Sequence, residues 1–196
     1  VRSATPIPSA KTGTVRTQDV AREIGFILSR AEPITGSPAE TYLASRGLTV
    51  PETPDLLFHP DVTYWDTKTG HPAMVAIVRD ARGERTAIHR TYLRADGSGK
   101  AGVAKQRMML GPVAGATVRL VEPGDGGVIG IAEGIETGLS VMQACSHLPV
   151  WAALSAGNME QTQLPPEALR VVLLADHDAA GAGLRAAHRA ARRFHG

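Results

Sequence analysis

The sequence predicts an α/β protein in which a parallel sheet follows a smaller α+β region. From residue 128 onward, short apolar runs alternate with helix-like segments, a pattern that predicts parallel strands joined by crossover helices. Before that point, runs with a two-residue alternation are separated by turn residues, which is typical of antiparallel hairpins. The 196 residues suffice for one domain with a hydrophobic core or for two small ones.

The composition is that of a soluble globular protein, with 43% apolar and 20% charged residues. No apolar stretch approaches the ~20 residues that a membrane span needs, and no signal peptide is recognisable. Cys145 is the single cysteine, which excludes an internal disulfide and a zinc site built from paired cysteines. We therefore expect a cytoplasmic protein that contacts no membrane and holds no zinc in this chain.

Basic residues are concentrated in one segment, although the net charge of the whole chain is only +2. Residues 79–120 contain nine Arg or Lys residues against three acids, a balance of +6. This segregation predicts a polyanionic partner, and the alternative is a basic face that contacts only solvent. The nine basic residues are Arg79, Arg82, Arg85, Arg90, Arg94, Lys100, Lys105, Arg107 and Arg119.

The N-terminal third predicts two helices after a linker. Residues 1–17 are rich in Ser, Thr, Pro and Gly, which predicts a linker or a disordered segment. Apolar residues then recur at helical spacing over about 19–30. The stretch SPAE predicts a capping box with Ser37 as N-cap and Glu40 at the third helical position. Gly47 suits the residue that follows the end of this second helix.

The middle of the chain predicts short strands. MVAIV (74–78) and TAIHRTYL (86–93) flank a turn and predict a β-hairpin. Further short strands are predicted at 108–110 and 118–121. We therefore expect residues 18–122 to form a small, basic α+β subdomain.

Residues 123–196 predict the parallel sheet. The predicted strands are 128–134, 149–154 and 171–175, and the predicted helices are 135–147 and 179–194. The last strand, VVLLA, is apolar throughout, so we expect an inner strand that is buried on both faces. Ligands of such sheets bind at the carboxyl ends of the strands. That edge should carry Glu133, residues 155–158, Asp176 and Asp178.

Three carboxylates at this edge suggest a metal site. Side chains at positions i and i+2 of an extended chain point the same way, so Asp176 and Asp178 can share one ion while His177 points away. Mg²⁺ commonly takes one or two carboxylates together with water and phosphate oxygens. The alternative is that one aspartate caps the following helix and the other is solvated. For Glu136 two roles are open: it could be an acid stabilised by the dipole of the helix that it begins, or an outer ligand of the metal site.

The motifs IAEGIETGLS, SAGN and ADHDAAG occur in this order and resemble the Toprim domain of bacterial-type primases, topoisomerases and some nucleases. The resemblance implies a Rossmann-like parallel sheet with Mg²⁺ or Mn²⁺ at the acids. Glu133 matches the family's glutamate, as a metal ligand or in proton transfer, and Asp176 and Asp178 match its D-x-D. Gly157 and Asn158 match a small-residue turn near a phosphate, and the alternative is an ordinary βα turn.

The upstream pieces PITGSPAETYLASRGL, LLFHP, AIHRTYLRADGSGKA and RMMLGP resemble the region before Toprim in phage- and plasmid-type primases. This implies primer synthesis on single-stranded DNA from nucleoside triphosphates, with a replicative helicase as a further partner. The residues expected to bind nucleic-acid or nucleotide phosphates are Arg90, Lys100, Lys105 and Arg107. His89 and Arg90 occupy opposite faces of one strand, so one of the two should face the site.

Two other functions use the same motifs. A Toprim nuclease would break a phosphodiester with the same acids, and a non-catalytic module would bind nucleic acid or a replication protein. The chain also departs from the primase pattern, because no cysteine-rich zinc module precedes it. A Toprim domain normally continues with a strand after the D-x-D helix, so we expect residues 123–196 to be a C-terminally truncated version.

Overall fold

The structure is a computed structural model that describes residues 11–124, 127–176 and 181–194. The first part of the chain forms, in order, α1 (Lys11–Ser29), β1 (Glu32–Pro33), α2 (Pro38–Ala44), β2 (Leu56–Tyr64), β3 (Thr69–Arg79), β4 (Arg85–Tyr92) and β5 (Arg107–Leu110). The second part forms β6 (Val118–Arg119), β7 (Val128–Ala132), α3 (Ile135–Ala144), β8 (Val150–Ala152), α4 (Ala156–Gln161), β9 (Arg170–Leu174) and α5 (Ala182–Phe194).

Helix α1 is longer than the sequence predicted. It begins at Lys11, so residues 11–17, predicted as part of a linker, are helical. Thr and Gly have weak helix propensity, which hid these first turns from the pattern. The predicted apolar stripe is confirmed, since Ile24 and Ile27 are buried. Among the described residues, no helix combines the length and apolar character needed to cross a membrane.

Helix α2 begins and ends as its sequence predicts. The Ser37 hydroxyl accepts hydrogen bonds from the backbone N–H groups of Ala39 and Glu40, at 3.2 and 3.4 Å. The Glu40 carboxylate reaches back to the N–H of Gly36, one residue before the N-cap. Gly47 follows the helix with φ +72°, a left-handed conformation that glycine adopts at little cost.

The first sheet is antiparallel, with the strand order β1-β2-β3-β4-β5. The predicted hairpin is confirmed as β3 and β4, in which Ile77 pairs with Ile88. Helix α1 packs on one face of this sheet, where Ile24 shares a core with Ile88 and Tyr92. The opposite face carries Ala87 and belongs to a second core.

The second sheet has the strand order β6-β8-β7-β9. Strand β7 runs parallel to β8 and to β9, and the short β6 adds antiparallel to β8. The predicted α/β architecture is therefore confirmed, although β6 was grouped with the upstream subdomain. Strand β9 was expected to be an inner, buried strand. In the described residues it pairs only with β7, forms the edge of the sheet and is partly exposed.

Strand β2 was not predicted as a separate element. Two short elements were also not predicted, because each contains too few residues to show a period. Strand β1 has two residues and pairs with β2. Helix α4 has six residues and begins at the N-cap Ser155, in the stretch expected to be a simple connection.

The two sheets share one hydrophobic core. Leu43 of α2 belongs to the same buried cluster as Leu139 of α3 and Val150 of β8. The side chain of Gln143 reinforces this contact: its oxygen accepts from the Thr49 N–H at 2.7 Å, and its amide nitrogen donates to the Gly47 carbonyl at 3.1 Å. Helix α2 is thereby fixed against α3, next to the carboxyl ends of the parallel strands.

Candidate active site

Glu133 and Asp176 lie at the same edge of the second sheet. Strands β7 and β9 are parallel and in register, with Ala132 opposite Leu174. Glu133 directly follows Ala132, and Asp176 is the second residue after Leu174, so both acids leave the sheet at neighbouring positions. Oδ1 of Asp176 accepts a hydrogen bond from the Thr137 hydroxyl of α3 at 3.0 Å. The sequence correctly predicted which strand ends would meet.

The beginning of α5 packs directly against Asp176. A Cβ atom on Gly183 would lie 2.6 Å from the backbone oxygen of Asp176 and 3.0 Å from its nitrogen. Only glycine permits this close approach. His177 and Asp178 lie outside the described residues, so a shared ion at Asp176 and Asp178 stays a prediction.

The described donors suit a hard cation. Glu133 and Asp176 offer carboxylate oxygens, which Mg²⁺ and Mn²⁺ prefer over the nitrogen and sulfur ligands typical of zinc. In the part of the chain that the structure describes, no group of three or more His, Cys, Asp or Glu side chains could hold a metal. Two carboxylates nevertheless fit Mg²⁺, which keeps several waters and phosphate oxygens in its shell.

Glu136 is the centre of a polar cluster that joins the two sheets. Its Oε1 accepts a hydrogen bond from the Tyr42 hydroxyl at 2.9 Å and lies 3.8 Å from Nζ of Lys100. Burial alone would raise the pKa of Glu136, but its own backbone N–H, the Tyr42 hydroxyl and the nearby cations lower it below the usual value. Glu136 is therefore ionised at neutral pH.

His89, rather than Arg90, faces this cluster. His89 is 5% exposed, and burial followed by the charge of Arg107 lowers its pKa to about 4. Its Nδ1 is buried and has no hydrogen-bond partner among the residues that the structure describes. Arg107 lies on the same side as His89, because it pairs with Thr91, two residues along β4.

Arg90 lies on the α1 face of the sheet, with its strand neighbours Ile88 and Tyr92. Its Nη2 donates to the Met109 carbonyl at 3.2 Å, while the described part of the chain offers no hydrogen-bond partner to the buried Nε and Nη1. Lys105 is exposed, and its backbone N–H donates to the Tyr64 hydroxyl, which belongs to the α1-side core. Their predicted phosphate contacts stay predictions, and neither residue joins the Glu136 cluster.

A basic cleft of about 400 Å³ opens between α2 and the loop that carries Lys100. Its cations are Arg46, Arg94 and Lys100, and the Arg46 guanidinium lies 6.0 Å from the centre of the Tyr42 ring. Sequence reasoning missed Tyr42 and Arg46. Tyr42 lies in α2 and Arg46 in the turn that follows it, and their spacing of four residues is the signal that could have found them. The remaining lining residues are Tyr42, Ser45, Ser98, Gly99 and Gln106.

Asn158 has a role inside the protein. Its Nδ2 donates to the carbonyls of Ala116 and Ala153, both at 2.8 Å, and its Oδ1 accepts from the Gly115 N–H at 2.7 Å. Both side-chain donors are therefore used, and none is left for a phosphate. Gly157 is exposed, with open space where a Cβ would lie. The phosphate contacts expected of Gly157 and Asn158 stay predictions.

Comparison with known proteins agrees with this geometry. Residues 128–196 match the Toprim domain, so the part of the chain that forms the parallel sheet is a Toprim domain. Residues 18–120, more than half of the chain, match a second description, and the chain belongs to the family described as "Domain of unknown function (DUF7146)".

One solved structure similar to the chain is the crystal structure of the primase fragment of the bacteriophage T7 primase-helicase protein. The sequence identity is 19% and the TM-score is 0.48. The similarity covers 78% of this chain and 55% of that one, so the chain spans about half the length of that fragment. No curated protein matches the chain.

Proposed function

We propose that this chain is the catalytic region of a DNA primase, which makes RNA primers on single-stranded DNA from nucleoside triphosphates. The Toprim domain indicates a protein that acts on nucleic acid. The finer proposal depends on the site, since primases and Toprim nucleases share the carboxylates. Such an enzyme would work in the cytoplasm, with a replicative helicase as a partner.

One observation supports synthesis rather than cleavage: the basic cleft lies beside the carboxylate edge. Glu136 follows Glu133 by three residues and contacts Lys100, which lines the cleft. A site that joins two nucleotides needs both a carboxylate edge for the reacting phosphate and separate cations for a triphosphate. Arg46, Arg94 and Lys100 give the cleft three positive charges, which suits a triphosphate.

Different residues would bind the metal ion and the phosphates. Glu133 and Asp176 would hold Mg²⁺ or Mn²⁺, which when bound neutralises negative charge on phosphate oxygens. Lys100 and Arg107 would bind phosphates of nucleotide or template on the opposite wall. Glu133 is also placed to move a proton, a role that its position at the strand end leaves open.

The division of the chain into residues 18–122 and 123–196 is part of the proposal. The first unit would supply the cations and the second the carboxylates, and the active site would form where α2 meets α3. Because binding would depend on phosphate contacts, affinity for a single strand should fall steeply with salt.

A labelled oligonucleotide assay tests the proposal. The protein is mixed with single-stranded DNA, Mg²⁺ or Mn²⁺ and the four ribonucleoside triphosphates, and Asp176→Asn serves as the inactive control. New short oligoribonucleotides support a primase, whereas shortened DNA supports the nuclease. DNA binding that persists in Asp176→Asn, with neither product from the unmodified protein, would leave only the binding module.

A further inference from the structure

Three elements converge on Glu136. Helix α3 supplies Glu136 in its first turn, helix α2 supplies Tyr42, and the loop after β4 supplies Lys100. Both partners contact the same carboxylate oxygen. The Lys100 and Glu136 side chains are only 22% and 19% exposed, so water screens the pair less than it would screen a surface ion pair.

The loop that carries Lys100 is seated on α2. Gly97 has φ +71°, and a Cβ atom there would lie 2.4 Å from the Pro38 carbonyl oxygen. The loop is closed by a hydrogen bond from the Arg94 N–H to the Gly99 carbonyl at 2.9 Å. The backbone of Lys100 is thus fixed against α2, the helix that carries Tyr42. Only the long side chain of Lys100 then needs to be positioned.

The charges around Lys100 come from every neighbouring element. Burial lowers its pKa, Glu136 of α3 opposes that decrease, and Arg107 of β5 and Arg46 in the turn after α2 add to it. Tyr42 stays protonated, because burial and the Glu136 carboxylate raise the pKa of its hydroxyl. His89 of β4 is neutral at neutral pH. Glu136 is therefore the anion that keeps Lys100 charged among other cations.

We infer that Glu136 and Tyr42 act as a positioning pair, which holds the Lys100 ammonium charged and directed into the cleft toward a substrate phosphate. The inference rests on the proposed function for the identity of the substrate. Tyr42 fixes the carboxylate through its hydroxyl, and the carboxylate fixes the ammonium. A lysine on a flexible four-carbon stem gains most from such an anchor.

The test measures Lys100 directly in the full chain. The rate at which an acylating reagent modifies Lys100 is followed by mass spectrometry between pH 7 and pH 11, and the midpoint reports the loss of its proton. Glu136→Gln keeps the size and hydrogen bonding of the side chain but removes its charge. We expect the midpoint to fall by about one pH unit, with a smaller fall for Tyr42→Phe.

Glu167→Gln is the matched control, because it removes an exposed carboxylate that contacts neither Lys100 nor the cleft. It should leave the midpoint unchanged. An equal midpoint in Glu136→Gln and the unmodified chain would overturn the inference. An unchanged midpoint in Tyr42→Phe would remove Tyr42 from the pair.

Primer synthesis supplies the second measurement. Activity should decline at a lower pH in Glu136→Gln than in the unmodified chain, and Lys100→Arg should remove this decline, because arginine stays charged. If the Lys100 midpoint shifts while no variant makes primers, the proposed function fails and the positioning pair stands. If the unmodified chain makes primers and the midpoint does not shift, the pair fails alone.

Discussion

Two polar segments lie on the same side of the parallel sheet, and they use their hydrogen bonds differently. In the segment after β8, the side-chain amide of Asn158, in the first turn of α4, is bound entirely by backbone groups of its own protein. Around α3, Glu136 and Asp176 are half-buried, with bonds that come from side chains of other elements. Carboxylates with remaining acceptor sites can bind a cation or a ligand, whereas the side-chain amide of Asn158 has both of its donors bound within the protein.

The strained backbone at Leu154 explains why the amide of Asn158 is bound within the protein. Leu154 has φ +70°, a conformation that a bulky residue rarely adopts. Such a conformation persists only where the surrounding contacts enforce it. Asn158 bonds to the Ala153 carbonyl immediately before Leu154, so its amide stabilises the strained turn. The comparison shows that polar side chains at the carboxyl ends of parallel strands can differ in how many of their hydrogen-bonding groups the protein itself already uses.

The largest expected effect is the loss of activity when the charge of Asp176 is removed. Asp176→Asn keeps an oxygen that can accept the Thr137 hydroxyl but removes the negative charge. We expect primer synthesis to fall about 1000-fold, or ~4 kcal/mol of barrier, while the free energy of unfolding changes by less than about 1 kcal/mol. Asp19→Asn, on the exposed side of α1, is the control. Full activity in Asp176→Asn would show that the reaction does not need this carboxylate, and the proposed contrast with Asn158 would fail.

Asn158→Ala should have the opposite profile. It leaves two carbonyls and one N–H unpaired in the interior, so we expect the free energy of unfolding to fall by about 3 kcal/mol. Urea denaturation measures this, with the exposed Gln161→Ala as control. If the protein keeps its stability but loses affinity for a single strand, Asn158 belongs with the binding residues.

His89 shares a feature with each of the two segments: it adjoins the Glu136 cluster, and it is as buried as Asn158. Its folded pKa of about 4 is below the ordinary value of 6.5, so the unfolded chain binds the proton more readily. Its contribution is therefore complete above pH 6.5 and is lost as the pH falls from 6.5 toward 4. His89→Gln should flatten this part of the stability curve, by at most about 3 kcal/mol. Parallel curves for the two proteins would contradict the assignment.

Tyr42→Phe should destabilise the protein less than Asn158→Ala. It removes one hydrogen bond to Glu136 and leaves the ring in the shared core, so we expect a loss of about 1 kcal/mol. Thermal unfolding at neutral pH measures this loss. Leu43→Ala, at the next position of α2, is a packing control that should cost about 3 kcal/mol. A loss in Tyr42→Phe as large as in Leu43→Ala would mean that the hydroxyl has a structural role resembling that of Asn158.

The sequence predicted the elements whose signals are local. The β3–β4 hairpin, the cap at Ser37 and the α/β alternation each depend on neighbouring residues. The site roles that the Toprim motifs suggest for Glu133 and Asp176 stay predictions. The Tyr42–Glu136 contact joins residues 94 positions apart, so no periodicity could reveal it. Asn158 shows the converse: its residue type suited a phosphate site, and only the folded loops around it show that its amide is already used.

The exposure of a strand also depends on its neighbours rather than on its residues. VVLLA is as apolar as an inner strand, yet β9 is an edge in the described part of the chain. The alternation of side chains along β4 predicts that Arg90 and His89 lie on opposite faces of the sheet. The face that holds the site depends on where α2 and α3 pack, which the sequence pattern does not show.

The hydrogen bond from Arg90 to Met109 has a consequence for how copies of this protein meet. The Tyr92 N–H donates to the Gln106 carbonyl, so Arg90 and Met108 form the next bonded pair, and the Met109 carbonyl points outward from β5. The guanidinium therefore covers a group that an incoming strand would need. Arg90→Ala should increase light scattering at high protein concentration. We expect the Arg90 side chain to hinder the addition of a further strand at β5.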